Sequence, residues 1–151
     1  FAAVSLGVAR ATLDAAIALA RGKHQSLAAS AMRDNHAVHG LIGRTEGDLR
    51  AARAYLYATA NAMWRDLSAT GEFSAAHRSA VRLAATWTIH QSGRVVDAAY
   101  HMAGATAVFR KHPFERRFRD MHAIAQQIQA RDSHYEDVGK TILAEGSGAK
   151  G

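Results

Sequence analysis

The sequence contains 0 Cys, so neither a disulfide framework nor thiolate chemistry is open to it, an absence that suits a cytoplasmic protein. Its 1 Pro, Pro113, leaves nearly the whole chain free to be helical. Alternating β-branched runs are scarce, which argues against a sheet. No apolar run is read as reaching the roughly 18 residues that span a bilayer. The opening residues, Phe1-Ala-Ala-Val-Ser-Leu-Gly-Val, lack the basic start and cleavage pattern of a signal peptide, so no membrane association is expected. Carboxylates are the minority charge: 13 Asp+Glu against 19 Lys+Arg give +6. Apart from Arg116-Arg117-Phe118-Arg119, the basic residues are scattered at helical spacing, as on solvated faces, and no nucleic-acid partner is expected. No Asp or Glu has a His three residues later, which excludes a di-iron bundle, and His36 and His39 read as solvated imidazoles. No metal site is expected.

What is present is Ala-rich and periodic. The 151 residues suffice for one domain with a real core, and because the chain opens at Phe1 it is expected to be part of a longer protein. A first helix is expected over 1–22, with Leu6, Leu13 and Ile17 on one stripe. A second covers 35–70, where Ile42, Leu49, Leu56 and Met63 recur every seven positions and Gly71 stops the helix. Ser74 caps a third, over 74–103, with Val81, Ala84, Thr88, Val95, Ala99 and Met102 as its apolar line. Pro113 opens a fourth, with Phe114, Phe118, Met121, Ala125 and Ile128 facing inward. A short last helix over 133–143 leads into a Gly/Ser/Lys tail at 145–151, expected to be flexible. Two helices of about 45–50 Å need long antiparallel partners. The expected fold is therefore all-α: an antiparallel up-and-down four-helix bundle with a short extra C-terminal helix, occupying residues 1–144.

The stretch from Tyr100 to Asp120 reads YHMAGATAVFRKHPFERRFRD. It resembles the end of the acyl-CoA dehydrogenase C-terminal domain, where a Gln-x-x-Gly-Gly turn precedes a Pro and an Arg-Asp pair. Leu6-Gly7-Val8-Ala9-Arg10-Ala11 and Ala51-Ala52-Arg53-Ala54 extend the resemblance in the right order over about residues 1 to 144. The resemblance implies a flavin, FMN or FAD, shared with further domains and with a neighbouring subunit. It implies a homo-oligomer, expected to be a dimer of dimers. By position His101 stands where the dehydrogenases have Gln, and Gly104-Ala105 where they have Gly-Gly, so these three are the candidate flavin contacts. A plain helix-to-helix link with Gly as its cap remains the alternative. Arg21 and Lys23 occupy positions where relatives place basic residues near the neighbour's flavin phosphates; exposed loop charge is the other reading. Arg119-Asp120 is expected to pin the fourth helix, and Asp97 to pair with His101.

Many acyl-CoA dehydrogenases carry a catalytic Glu shortly after the Arg-Asp pair; here the corresponding residues are Gln127-Ile128-Gln129, and Ile cannot abstract a proton. Phe118-Arg119-Asp120-Met121-His122-Ala123 is closer to the Arg-Asp-x-His-Ala of the flavin-dependent monooxygenases built on the same fold. That branch implies reduced flavin supplied by a separate reductase, a small aromatic or related substrate, and hydrogen-bond donors at the oxygen-activating centre. Gln127 and His122 are the candidates for that role. An acyl-CoA dehydrogenase with its base outside this chain, and a non-catalytic oligomerisation module, are the alternatives.

Overall fold

A computed structural model of the protein describes residues 1–22 and 31–147. Among the described residues five α-helices follow one another: α1 (Ala2–Gly22), α2 (His36–Thr70), α3 (Ala75–Ala103), α4 (Phe114–Ala125) and α5 (Ser133–Ser147). Short 3-10 turns occur at Met32–Asp34, Gly104–Val108 and Ile128–Ala130. The expected all-α bundle is present. α5 runs to Ser147, past its expected end at 143, and so takes in the first three residues of the expected tail. Lys23 and positions 148–151 lie outside the described residues.

Local chemistry sets the helix ends. The Asn35 Oδ1 accepts from the backbone N–H groups of Ala37 (2.8 Å) and Val38 (3.4 Å), occupying donors that the first turn of α2 leaves free. Gly71, at φ 73°, ends the helix in the left-handed region with its N–H on the Leu67 carbonyl. Ser74 and His77 form a reciprocal cap at the start of α3, the Ser74 Oγ accepting from the His77 N–H and the His77 Nδ1 from the Ser74 N–H. With Nδ1 accepting, the His77 Nε2–H is free to donate to the Asp66 carboxylate at 3.3 Å, which ties the two long helices at their hairpin. Pro113 occupies the cap position, one residue earlier than expected, and α4 starts at Phe114.

α3 is the central element, packed against α1, α2, α4 and α5. Its buried face carries Ala84, Ile89, Val95, Val96, Ala99 and Ala103, facing Leu6, Ala9, Leu13 and Ala16 of α1 and Leu49 and Ala52 of α2. Small side chains bring α1 and α3 together closely enough for the buried Ser5 and Ser92 hydroxyls to meet at 3.2 Å. Buried hydroxyls on α1 and α2 are satisfied by their own helices, Thr12 on the Val8 carbonyl and Thr45 on that of Leu41. By length and composition α1 is apolar enough to cross a membrane, contrary to the reading that no run in the sequence reaches that length. Its apolar stripe is instead buried in the bundle, with Asp14 and Arg10 on the other side.

One ion-pair network joins α1 to α2. Arg10 bonds both Glu46 of α2 and Asp14 of its own helix, and Arg50 holds the second oxygen of Glu46 at 2.7 Å. Burial works against the Arg10 charge, but the hydrogen bonds that its guanidinium donates to Glu46 and Asp14 outweigh it and raise its pKa. The Arg10 hydrogen bond, followed by that of Arg50, holds the Glu46 carboxyl below its ordinary value of 4.5. A depressed carboxylate contributes stability that is present above its unfolded pKa and lost as pH falls through its folded one. Glu46→Gln is expected to cost about 1 kcal/mol at neutral pH and to flatten the acid side of the stability profile below pH 4.5. Urea denaturation at a series of pH values checks this; parallel acid limbs in parent and variant would show that the network is energetically silent.

Candidate functional site

The residues singled out from the sequence fall in three places. At one end of the bundle α3 stops at Gly104, whose φ of 57° and ψ of −141° suit only a residue without a side chain. A Cβ added there would meet nothing within 4 Å, so the space beside the turn is open. His101, Gly104 and Ala105 are all exposed, as is Arg21 at the last turn of α1. The two helix ends share a cluster in which Ala16 packs with Ala99, Ala103, Ala107 and Phe114, so Arg21 and the turn lie at the same end. Between positions 101 and 114 there is no carboxylate, while Arg110 and Lys111 add exposed positive charge. An open glycine turn beside basic side chains fits a phosphate-bearing cofactor.

His122 stands elsewhere. Its Nε2 is 3.2 Å from the Asp97 carboxylate and its ring lies 4.2 Å from that of Phe118. Asp97 therefore pairs across to α4, and not with His101 four residues along its own helix as expected; His101 instead sets its ring edge-on to Tyr100. The pair lies beside a polar groove of about 540 Å³ between α3 and α4, lined among others by His90, Arg94, Asp97 and His122. Among the described residues Arg119, expected to pin α4 with Asp120, makes only an exposed i,i+4 pair with Glu115 at 2.9 Å, and Asp120 is exposed.

The third place is the connector from α4 to α5. The expected inward stripe of α4 ends at Ala125, because Gln127 turns to extended backbone (φ −74°, ψ 156°). Ile128 is consequently 56% exposed and does not pack with Met121 and Ala125 as expected; Ala130 takes the buried position. The cause lies on α3. The Thr86 Oγ1 donates to the Gln129 carbonyl at 2.8 Å and the His90 Nε2 donates to the Ala130 carbonyl at 2.8 Å. With its hydroxyl proton so used, Thr86 accepts from the His134 Nδ1–H at 2.8 Å. With its Nε2 protonated, His90 accepts at Nδ1 from the Tyr135 hydroxyl at 3.1 Å. These four side chains bind the connector and the first turn of α5 to α3.

Two apolar hollows flank the connector and meet at Ala85 and Gln129. One, of about 360 Å³, is lined by Phe73, Val81, Ile128 and His134 with Arg78 and Arg82; the other, of about 390 Å³, by Phe1, Leu56, Tyr57 and Ala60 among others. Among the described residues no carboxylate lines either one. Gln127 is exposed and lines neither hollow, nor the groove that holds His122. Thr86, which grips Gln129, precedes Gly104 by 18 residues, about 27 Å of helix, so Gln127 and the glycine turn are at different levels of the bundle. The structure thus groups Arg21 with the turn and separates Gln127 from His122. Among the described residues no group of three or more His, Cys, Asp or Glu is placed to hold a metal ion.

A bundle centred on one long helix, closed by a glycine turn and a short fourth helix, has a known counterpart. Residues 1–132 match the acyl-CoA dehydrogenase C-terminal domain, and the chain belongs to that family. Within it the chain is similar to the indole-3-acetate monooxygenases of Pseudomonas putida and Acinetobacter baumannii, each 26% identical over 136 residues. That alignment covers 90% of this chain and 35% of each relative, so the chain spans about a third of the length of these proteins. Among solved structures, XiaF from Streptomyces sp. in complex with FADH2 and glycerol superposes at a TM-score of 0.87, with 17% identity over 95% of this chain and 37% of that one. The HsaA monooxygenase from M. tuberculosis superposes at 0.74, with 19% identity over 93% of this chain and 36% of its own.

Sequence reasoning missed Thr86, His90, His134 and Tyr135. Thr86 and His90 are four apart on one helix, but no spacing reveals that their carbonyl partners lie 43 and 40 positions downstream. Burial, reinforced by Asp132 and opposed by Arg94, raises the Tyr135 pKa above its ordinary 10.0. A raised pKa contributes stability that is complete below the unfolded value and lost as pH climbs through the folded one. Tyr135→Phe is therefore expected to remove part of the alkaline loss of stability above pH 10.0. Thr86→Val strips the Gln129 carbonyl of its donor and is expected to cost about 1–3 kcal/mol. Hydrogen exchange should accelerate first at the amides of Ala130 and Arg131, whose turn it secures. Uniform exchange across α3 and the connector would refute the local role.

Proposed function

We propose that the chain is the helical domain of a cytoplasmic, two-component monooxygenase that hydroxylates a small aromatic or related substrate with reduced flavin supplied by a separate reductase. The observation that carries this reading is the chemistry of the connector. Ile128 stands where the dehydrogenases of the family have a late Glu, and the two hollows beside it contain no carboxylate. Among the described residues neither hollow offers a base for proton abstraction next to a thioester. The similarity to monooxygenases supports the same direction.

In this reading flavin, FMN or FAD, supplies the activation of oxygen, and the chain's own residues bind and shield. Gly104 and Ala105 offer open backbone, and His101, Arg21 and Lys23 positive or hydrogen-bonding groups, to the phosphate and ribose of a flavin held mainly by a neighbouring subunit. The exposed Tyr57 and Trp64 of α2, the latter 65% exposed, support assembly as a homo-oligomer, a dimer of dimers in this proposal. Gln127 is the donor at the reacting centre, because it is exposed on the connector between α4 and the hollows. His122 is already engaged by Asp97 and Phe118, and its role is to orient α4.

With reduced flavin and aromatic substrate, the full-length protein is expected to consume oxygen and form hydroxylated product. Gln127→Ala should raise hydrogen peroxide release several-fold at unchanged flavin affinity, since one donor is lost from the reacting centre. Oxidation of acyl-CoA by the full-length protein would replace this reading with a dehydrogenase, and failure to bind flavin would replace it with an assembly module. An unchanged peroxide yield would remove Gln127 from the site.

A further inference from the structure

The hollow at the α2–α3 hairpin is apolar on its floor and cationic at its rim. Val81, Ala85 and Ile128 supply the floor, and the ring of Phe73, 43% exposed, one wall. Arg78 and Arg82, one turn apart on α3, stand on the same side. Neither guanidinium is consumed by a close ion pair. Arg78 has no carboxylate partner among the described residues and lies over the Phe73 ring, 5.6 Å from its centroid. Arg82 reaches Asp137 only at 3.7 Å, with both side chains about half exposed, a contact of little worth in water. His134 completes the lining with its Nδ1 already committed to Thr86.

Two forked cations, one without a carboxylate partner among the described residues and one in a long, exposed ion pair, beside an apolar, aromatic-walled hollow match a ligand with a flat apolar body and one anionic end. A guanidinium binds a carboxylate through paired N–H···O bonds, and a ring slotted against Phe73 and Ile128 removes apolar surface from water. At about 360 Å³ the hollow falls within the size range of small-molecule pockets, about 300–1,000 Å³.

We propose that this hollow is a binding site for a small aromatic carboxylate, with Arg78 and Arg82 holding the carboxylate and Phe73, Val81 and Ile128 the ring. The inference rests on the monooxygenase reading for its substrate class but not for its binding chemistry. It makes the hairpin tip of α3 the element that chooses anionic over neutral aromatics.

Titration calorimetry on the full-length protein, without flavin turnover, compares indole-3-acetate with its neutral amide. The acid is expected to bind at least tenfold more tightly than the amide. Arg78→Gln combined with Arg82→Gln should abolish that preference and leave amide binding unchanged. Arg44→Gln, the same loss of charge on exposed α2, should keep the preference. Arg78→Lys retains the charge without the fork and should lose several-fold, which provides a second reading if the double variant does not fold. Equal affinity for acid and amide, or an Arg44 variant as impaired as the double one, overturns the proposal. Acid-selective binding without oxygen consumption would leave the site standing and remove the monooxygenase reading; hydroxylation without acid preference would do the reverse.

Discussion

Alanine and serine on facing stripes let α1 lie against α3 closely enough for the Ser5 and Ser92 hydroxyls to touch, and the rest of the packing is arranged around that approach. Ala9 and Ala16 of α1, and Ala84, Ala99 and Ala103 of α3, are almost fully excluded from solvent. Small residues bury little area each, so stability comes from close contact along the length of the helices more than from a few large side chains. With α3 so placed, α2 and α4 have only its flanks to cover. The larger residues of the core, Leu13, Ile89, Met121 and Phe114, fill the seams between helices.

The same central helix decides where the chain can do chemistry. Its N-terminal half presents Arg78 and Arg82 to a hollow, its middle grips the connector through Thr86 and His90, and its C-terminal end opens into the glycine turn. The hollow and the connector adjoin, whereas the glycine turn lies tens of ångströms further along the same rigid rod, so the two ends serve different parts of a ligand or different ligands. A flavin reached through the turn and a small molecule held near the hairpin are compatible demands on such a rod. The chain spans about a third of the length of the curated relatives it matches.

Charge is distributed accordingly. The Arg10–Glu46–Arg50 network is spent on joining α1 to α2, and Glu46 stays ionised because two guanidinium groups hold it. At the glycine turn and the hairpin hollow, positive groups have few or no carboxylate neighbours. In a chain of net charge +6 these two places are suited to anionic groups.

Helix boundaries were legible because they rest on local rules. Asn35, Gly71, Ser74 and Gly104 act through their own backbone neighbours, and the heptad spacing of Ile42, Leu49 and Leu56 needs only helical periodicity to place one face inward. The glycine turn was legible in the same way, and its motif pointed to the family. The connector was not. Periodicity carried α4 through Ile128, but Thr86 and His90 capture the carbonyls of Gln129 and Ala130, and those bonds outweigh one more turn of helix. Asp97 likewise had a local partner in His101 and took a distant one in His122. Spacing along a helix is a property of the sequence; which side chains meet across 25 or 43 positions is settled only when α3 and α4 pack, because that packing brings the donors within reach.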